Sequence, residues 1–210
     1  NLVDNYGARE IFDDAGTIPP GLWLKKFCEL MIESGYNKKV MYSCNMRFGW
    51  VDAEMYRLMK KAGFRLLKFG LESGCQKTID KLDKGTDVTK VFEHCKDAKD
   101  AGLTVHITMM VGYPWETKEE SMEVFKLADK LMSAGLVDIH QSTIVMPYPG
   151  TPLYAEAVKE VDQASKQLDY AQEVSSQIQS KGDDAFFNWM SSEKGMSDTE
   201  IRQLITDANH

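Results

Sequence analysis

Five short apolar runs alternate with longer segments of helical periodicity, and no other feature of the chain constrains its fold as strongly. The runs are residues 10–12, 39–45, 65–72, 103–111 and 137–146. Between them, apolar residues recur three and four apart. One such segment runs from about Pro20 through Trp23, Phe27, Leu30 and Met31, and a second from Asp52 through Met55, Leu58 and Met59. Two more span residues 87–101, with Val88, Val91, Phe92, Cys95 and Ala98 on one face, and residues 118–132. Asp52 is placed to cap its helix, and Gly63, Gly102 and Gly135 stand where helices stop. The run starts recur at roughly thirty-residue intervals, the length of a strand, a crossover helix and two loops. Right-handed crossovers then lay parallel strands side by side in chain order, with functional loops at their carboxyl ends. The predicted fold class is α/β, a partial TIM-type (β/α) barrel of five parallel strands.

Beyond Pro152 the pattern weakens. Residues 161–180 are polar, residues 185–190 form an aromatic patch, and Ser197 with Glu200 has the spacing of a capping box. The expected organisation is a barrel over 1–160 and a helical carboxyl-terminal appendage over 161–210.

The 32 acidic residues outnumber the 25 basic ones, giving a formal charge of −7, and no basic block could track a phosphate backbone. Nucleic acid is therefore not expected as a partner. Twelve methionines and four isolated thiols, Cys28, Cys44, Cys75 and Cys95, suit a reducing interior. With no cleavable leader and no apolar run long enough to span a bilayer, a cytoplasmic location is expected. The cysteine spacings match neither a CxxC pair nor a ferredoxin-like run, and the four histidines show no HExxH pattern.

Polar residues recur at one end of the runs. Asp13 and Asp14 end the first, Asn45 and Arg47 follow the second, and Glu72 and Ser73 end the third. The loop from Gly112 through Pro114 follows the fourth, and the turn opened by Pro147 follows the fifth. Arginine grips carboxylates bidentately, while Asp and Glu accept from ammonium or hydroxyl groups, so this rim suits an amino-acid nucleoside among other polar metabolites. Each residue also has a purely structural reading. Asp13-Asp14 can be a turn or helix cap, Arg47 a surface residue, Lys84 a helix-end cation, and His106 and His140 core histidines.

The motifs Ile11-Phe12-Asp13-Asp14, Gly70-Leu71-Glu72-Ser73-Gly74 followed by Lys84-Gly85, Gly112-Tyr113-Pro114-Trp115-Glu116-Thr117, and Pro147-Tyr148-Pro149-Gly150-Thr151-Pro152 resemble the radical S-adenosylmethionine (radical SAM) superfamily. The resemblance is to the cobalamin-associated group that includes anaerobic magnesium-protoporphyrin IX monomethyl ester oxidative cyclase-like Fe-S oxidoreductases, and it covers about residues 8–155. It implies a six-stranded partial barrel, of which the five runs match strands two to six. A CxxxCxxC loop holds a [4Fe-4S] cluster, and S-adenosylmethionine yields a 5'-deoxyadenosyl radical. Cobalamin carries the methyl group in methylating relatives. Carried over, Asp13 and Asp14 approach the methionine end of the cofactor, and Arg47 takes its carboxylate. Glu72 and Ser73 meet its ribose or amino portion. Gly112 and Pro114 pass the adenine, and Pro147 closes the last strand. The implied partners are a small-molecule substrate and an electron donor such as ferredoxin or flavodoxin.

No CxxxCxxC occurs in the 210 residues. The expectation is therefore a fragment of a radical SAM oxidoreductase or methyltransferase, inactive alone, whose first strand and cluster loop lie upstream. A dimer through the sheet edge left exposed would follow. The competing expectations are a degenerate barrel acting as a binding or scaffold module, and a cluster-independent metabolite enzyme using Glu72, Arg47 and Asp13.

Overall fold

The computed structural model describes residues 1–164. A short helix α1 (Leu2–Tyr6) leads into β1 (Glu10–Asp13), and strands and helices then alternate: α2 (Leu22–Glu33), β2 (Met41–Met46), α3 (Ala53–Lys61) and β3 (Phe64–Glu72). After the one-and-a-half-turn α4 (Gln76–Lys81) come α5 (Val91–Asp100), β4 (Thr104–Val111), α6 (Lys118–Ser133), β5 (Ile139–Ile144) and α7 (Pro152–Ala164). The five strands are parallel neighbours in chain order, as in a partial radical SAM (β/α) barrel.

The sheet has two chemically different faces because successive strand residues point to opposite sides. Cys44, Leu67, Phe69, Leu71, Val105, Ile107 and Met109 are wholly buried. Their side of the sheet meets the helices: Tyr56 of α3 packs edge-on against Phe69, and Phe27 of α2 contacts both Tyr42 and Phe64. Burying one such large side chain contributes about 1.5–3 kcal/mol, so this layer supplies the main driving force. The alternate residues, Asn45, Lys68, Gly70 and Thr108, stand on the inner face.

Two compact units are distinguished, residues 1–109 with 123–141, and residues 110–122 with the described residues from 142. In the second, Thr117 and Glu120 form a reciprocal capping box at the start of α6, at 2.9 and 3.2 Å. The Tyr113 and Trp115 rings stack there, and the Ser121 hydroxyl donates to buried Glu116 at 2.8 Å.

Several expected boundaries move. Helix α2 begins at Leu22 rather than Pro20, since Gly21, at φ 77°, precedes it as the cap. Residues 88–90 are a 3-10 turn, with Asp87 accepting from the Thr89 amide, and α5 starts only at Val91. Strand β5 is shorter than residues 137–146 at both ends. Helices α1 and α7 were not expected. The first buries no residue, and the second starts at Pro152 with the Thr151 hydroxyl accepting from the Tyr154 amide at 3.2 Å. Helix α7 runs across the expected boundary at 160/161. The aromatic patch, the second capping box and most of the polar stretch lie outside the described residues.

Candidate functional site

At the carboxyl ends of β1, β2 and β3 lies a cavity of about 330 Å³, at the lower end of the ~300–1,000 Å³ usual for small-molecule sites. Asp14, Asn45, Arg47, Lys68, Glu72 and Lys84 supply its polar wall, with Gly16, Thr17, Met46, Gly70 and Thr108 completing it. Every one of these residues belongs to the first unit.

Glu72 is the most constrained member. It ends β3 at a register shift, with φ at 64°, a left-handed conformation that side chains other than glycine rarely adopt. Only 8 % exposed, it meets Lys84 at 2.7 Å. Gly70 makes this pair possible, because a Cβ there would stand 2.5 Å from the Glu72 carboxylate oxygen. Gly74 does the corresponding work behind the loop, where a Cβ would come within 2.5 Å of the α6 backbone at Glu123 and Val124. The Gly-Leu-Glu-Ser-Gly segment is thus fitted on both sides.

Arg47 follows β2. One guanidinium nitrogen donates to the Lys84 carbonyl, and the group lies over the Trp50 ring at 4.8 Å from its centroid. Its Nε is buried with no hydrogen-bond partner. Leaving such a donor unmade costs about 1–3 kcal/mol, and more for a charged group, so the arrangement calls for an acceptor. Also lining the cavity, the Asn45 amide donates to Asp14 at 2.9 Å.

The structure thus brings Asp14, Arg47 and Glu72 together. Asp13 does not join them: its carboxylate accepts from the Tyr42 hydroxyl at 2.7 Å and the Ala15 amide at 3.0 Å, on the helix side of the sheet. Ser73 is buried beneath the loop, where its hydroxyl accepts from the Cys75 amide at 3.1 Å. Gly112, at φ 87°, Pro114 and Pro147 belong to the second unit and are not among the cavity's lining residues. Lys84, whose alternative was a helix-end cation, is instead the partner of Glu72. Lys68, Thr108 and the role of Gly70 were not anticipated. Their signal was positional, since Lys68 and Gly70 alternate with the apolar residues of β3 and share the face of Glu72.

Three of the four thiols do not suit a metal cluster. Cys28, Cys44 and Cys95 are wholly buried, and burial raises their pKa values to about 11, 12 and 12, with nearby acidic groups adding to the shift at Cys28 and Cys44. Iron–sulfur ligation needs thiolates. Cys44 is on the helix side of β2 because it alternates with Asn45. Among the described residues no group of three or more His, Cys, Asp or Glu side chains could hold a metal ion.

This chain belongs to the radical SAM superfamily, whose family model matches residues 5–128. It is 30% identical over 119 residues to an uncharacterized methyltransferase of Pyrococcus horikoshii, covering 57% of this chain and 25% of that protein. Against the anaerobic magnesium-protoporphyrin IX monomethyl ester cyclase of Cereibacter sphaeroides it is 30% identical over 139 residues, 65% of this chain and 22% of the cyclase. The chain thus spans about a quarter of the length of these curated relatives. Among solved structures, the radical S-adenosylmethionine methyltransferase TsrM of Kitasatospora setae, with cobalamin and a [4Fe-4S] cluster bound, aligns with a TM-score of 0.56 at 15% identity. That alignment covers 66% of this chain and 28% of TsrM, and at such identity it bears on the fold alone. No helix among the described residues is long and apolar enough to cross a membrane.

Proposed function

We propose that the cavity at the ends of β1, β2 and β3 cradles S-adenosylmethionine, and that the chain is the cofactor-holding part of a radical SAM oxidoreductase or methyltransferase. The observation that carries this reading is a single cavity lined by Arg47 and by two carboxylates, Asp14 and Glu72. The ligand's α-carboxylate supplies the acceptor for Arg47. Asp14 and Glu72 accept from its ammonium or ribose hydroxyls, and the Lys84 pair holds the Glu72 carboxylate in place. Ser73 supports the loop from beneath.

The bound cofactor, together with a reduced [4Fe-4S] cluster, supplies the 5'-deoxyadenosyl radical of this enzyme class. The cluster's ligands come from outside these 210 residues, because none of the sequence has the CxxxCxxC spacing and three of its four thiols are buried and protonated. A cobalamin partner follows from the resemblance of the motifs to the cobalamin-associated group, and a methyl-transfer or cyclisation substrate is supported by the names of the two sequence relatives. Removing the guanidinium tests the reading: Arg47→Ala should weaken S-adenosylmethionine binding by about tenfold or more, since a charge-assisted hydrogen bond contributes about 1.5–3 kcal/mol. Calorimetric titration of the 210-residue chain measures it, and an unchanged affinity overturns the assignment.

A further inference from the structure

One step back along the strands from Gly70 and Thr108, three polar residues stand side by side: Asn45, Lys68 and His106 are register partners on β2, β3 and β4. Partners in parallel strands project to the same face, here the inner one, since the intervening residues Val105 and Ile107 are wholly buried on the other. Lys68 lines the cavity, and among the described residues its ammonium has no hydrogen bond or ion pair. Beside it, His106 Nε2 is buried and has no hydrogen-bond partner. Burial, then the charges of Lys68 on β3 and His140 on β5, hold the imidazole below its ordinary pKa, so it is neutral at pH 7.

The charge balance of the cavity points the same way. Its lining has cations at Arg47, Lys68 and Lys84 against carboxylates at Asp14 and Glu72, an excess of one positive charge. S-adenosylmethionine adds a further net positive charge, because its sulfonium and ammonium outnumber its carboxylate. With Arg47 engaged by that carboxylate, Lys84 by Glu72 and the ammonium by Asp14, Lys68 and the sulfonium are the cations left without a counter-charge. Low dielectric makes such an excess costly, and a second ligand carrying negative charge removes the cost.

We propose that Lys68 and His106 form an anion subsite on the inner face of the sheet, which takes an oxyanion, carboxylate or phosphate, of the small-molecule substrate. The proposal rests on the cavity being the S-adenosylmethionine cradle. Lys68 supplies a point charge and the neutral imidazole one directional ring N–H, which fits either oxyanion.

The probes are sodium propionate and inorganic phosphate, titrated into the 210-residue chain while the His106 ring is followed by NMR. The expected result is saturable binding of at least one probe that shifts the His106 resonances and raises the His106 pKa, as an anion stabilises imidazolium. Lys68→Gln should weaken that binding about tenfold, the loss of one charge-assisted hydrogen bond. Propionate without phosphate, or the reverse, identifies which oxyanion the substrate carries. Two further titrations, with S-adenosylhomocysteine alone and with propionate at saturating S-adenosylhomocysteine, separate the proposal from the reading beneath it. Propionate or phosphate binding that persists at saturation supports a separate subsite. If S-adenosylhomocysteine binds but displaces the probe, Lys68 serves the cofactor's own carboxylate and the proposal fails while the cradle stands. If neither probe perturbs His106, the proposal fails outright. If a probe binds but S-adenosylhomocysteine does not, the cradle falls, and with it the assignment of the anion to a substrate held beside the cofactor.

Discussion

Glu72 occupies a backbone position that suits glycine, and comparing two substitutions there isolates the strain it carries. Both Glu72→Ala and Glu72→Gly remove the ion pair to Lys84, so that loss cancels between them. What remains is the left-handed φ of 64°, which costs an alanine about 1–2 kcal/mol and a glycine nothing. Against this, glycine gains more unfolded-state entropy, worth about 0.4–1 kcal/mol in favour of alanine. The glycine variant should therefore be more stable than the alanine variant by about 0.5–1 kcal/mol, the reverse of the usual order in a strand. Urea denaturation followed by circular dichroism measures the difference, with equal m-values confirming that the same transition is compared. An alanine variant as stable as the glycine variant, or more so, would refute the reasoning. The wild-type carboxylate would then stand at an unstrained position, and the inference that strain is retained there for the sake of a functional group would lapse.

Other consequences follow from the packing and the buried thiols. Gly74→Ala places a Cβ 2.5 Å from the α6 backbone, where no flexible side chain can yield, and should destabilise the fold by about 1–3 kcal/mol in the same assay. Ellman's reagent at pH 8 should titrate Cys75 in the native chain and reach Cys28, Cys44 and Cys95 only after unfolding, because these three are wholly buried. Their raised pKa values also set a pH dependence. Below pH 9 both states hold the thiol protons; above it the unfolded chain releases them while the folded chain keeps them to about 11 or 12, so stability should fall with rising pH. Denaturation midpoints at pH 8 and pH 10 check this, and a higher midpoint at pH 10 would contradict it.

The parallel sheet was legible in the sequence because apolar runs and helical periodicities alternate at a fixed spacing, a pattern that few other folds accommodate. The cavity was legible in outline, since polar residues at successive strand ends meet wherever parallel strands are laid in order. Which member of an adjacent pair faces inward was not. Asp13 and Asp14 differ by one residue, and the two-residue period of a strand sends them to opposite faces, so only the pairing of Asp13 with Tyr42 assigns the face. Cys44 and Asn45 pose the same ambiguity. Arg47 gains its significance from an unmet donor that no sequence pattern encodes. Helix α1 escaped notice because it buries nothing and so leaves no periodic stripe. Helix α7 had a readable start in Thr151-Pro152, a capping hydroxyl before a proline, which the turn-like residues around it masked.

The central claim is that the cavity recognises the amino-acid part of an adenosyl ligand through Arg47. Calorimetric affinities of the 210-residue chain for S-adenosylhomocysteine and for 5'-methylthioadenosine, which lacks the ammonium and carboxylate, test it most directly. The account predicts that S-adenosylhomocysteine binds at least about tenfold tighter. Equal affinities for the two nucleosides would contradict it.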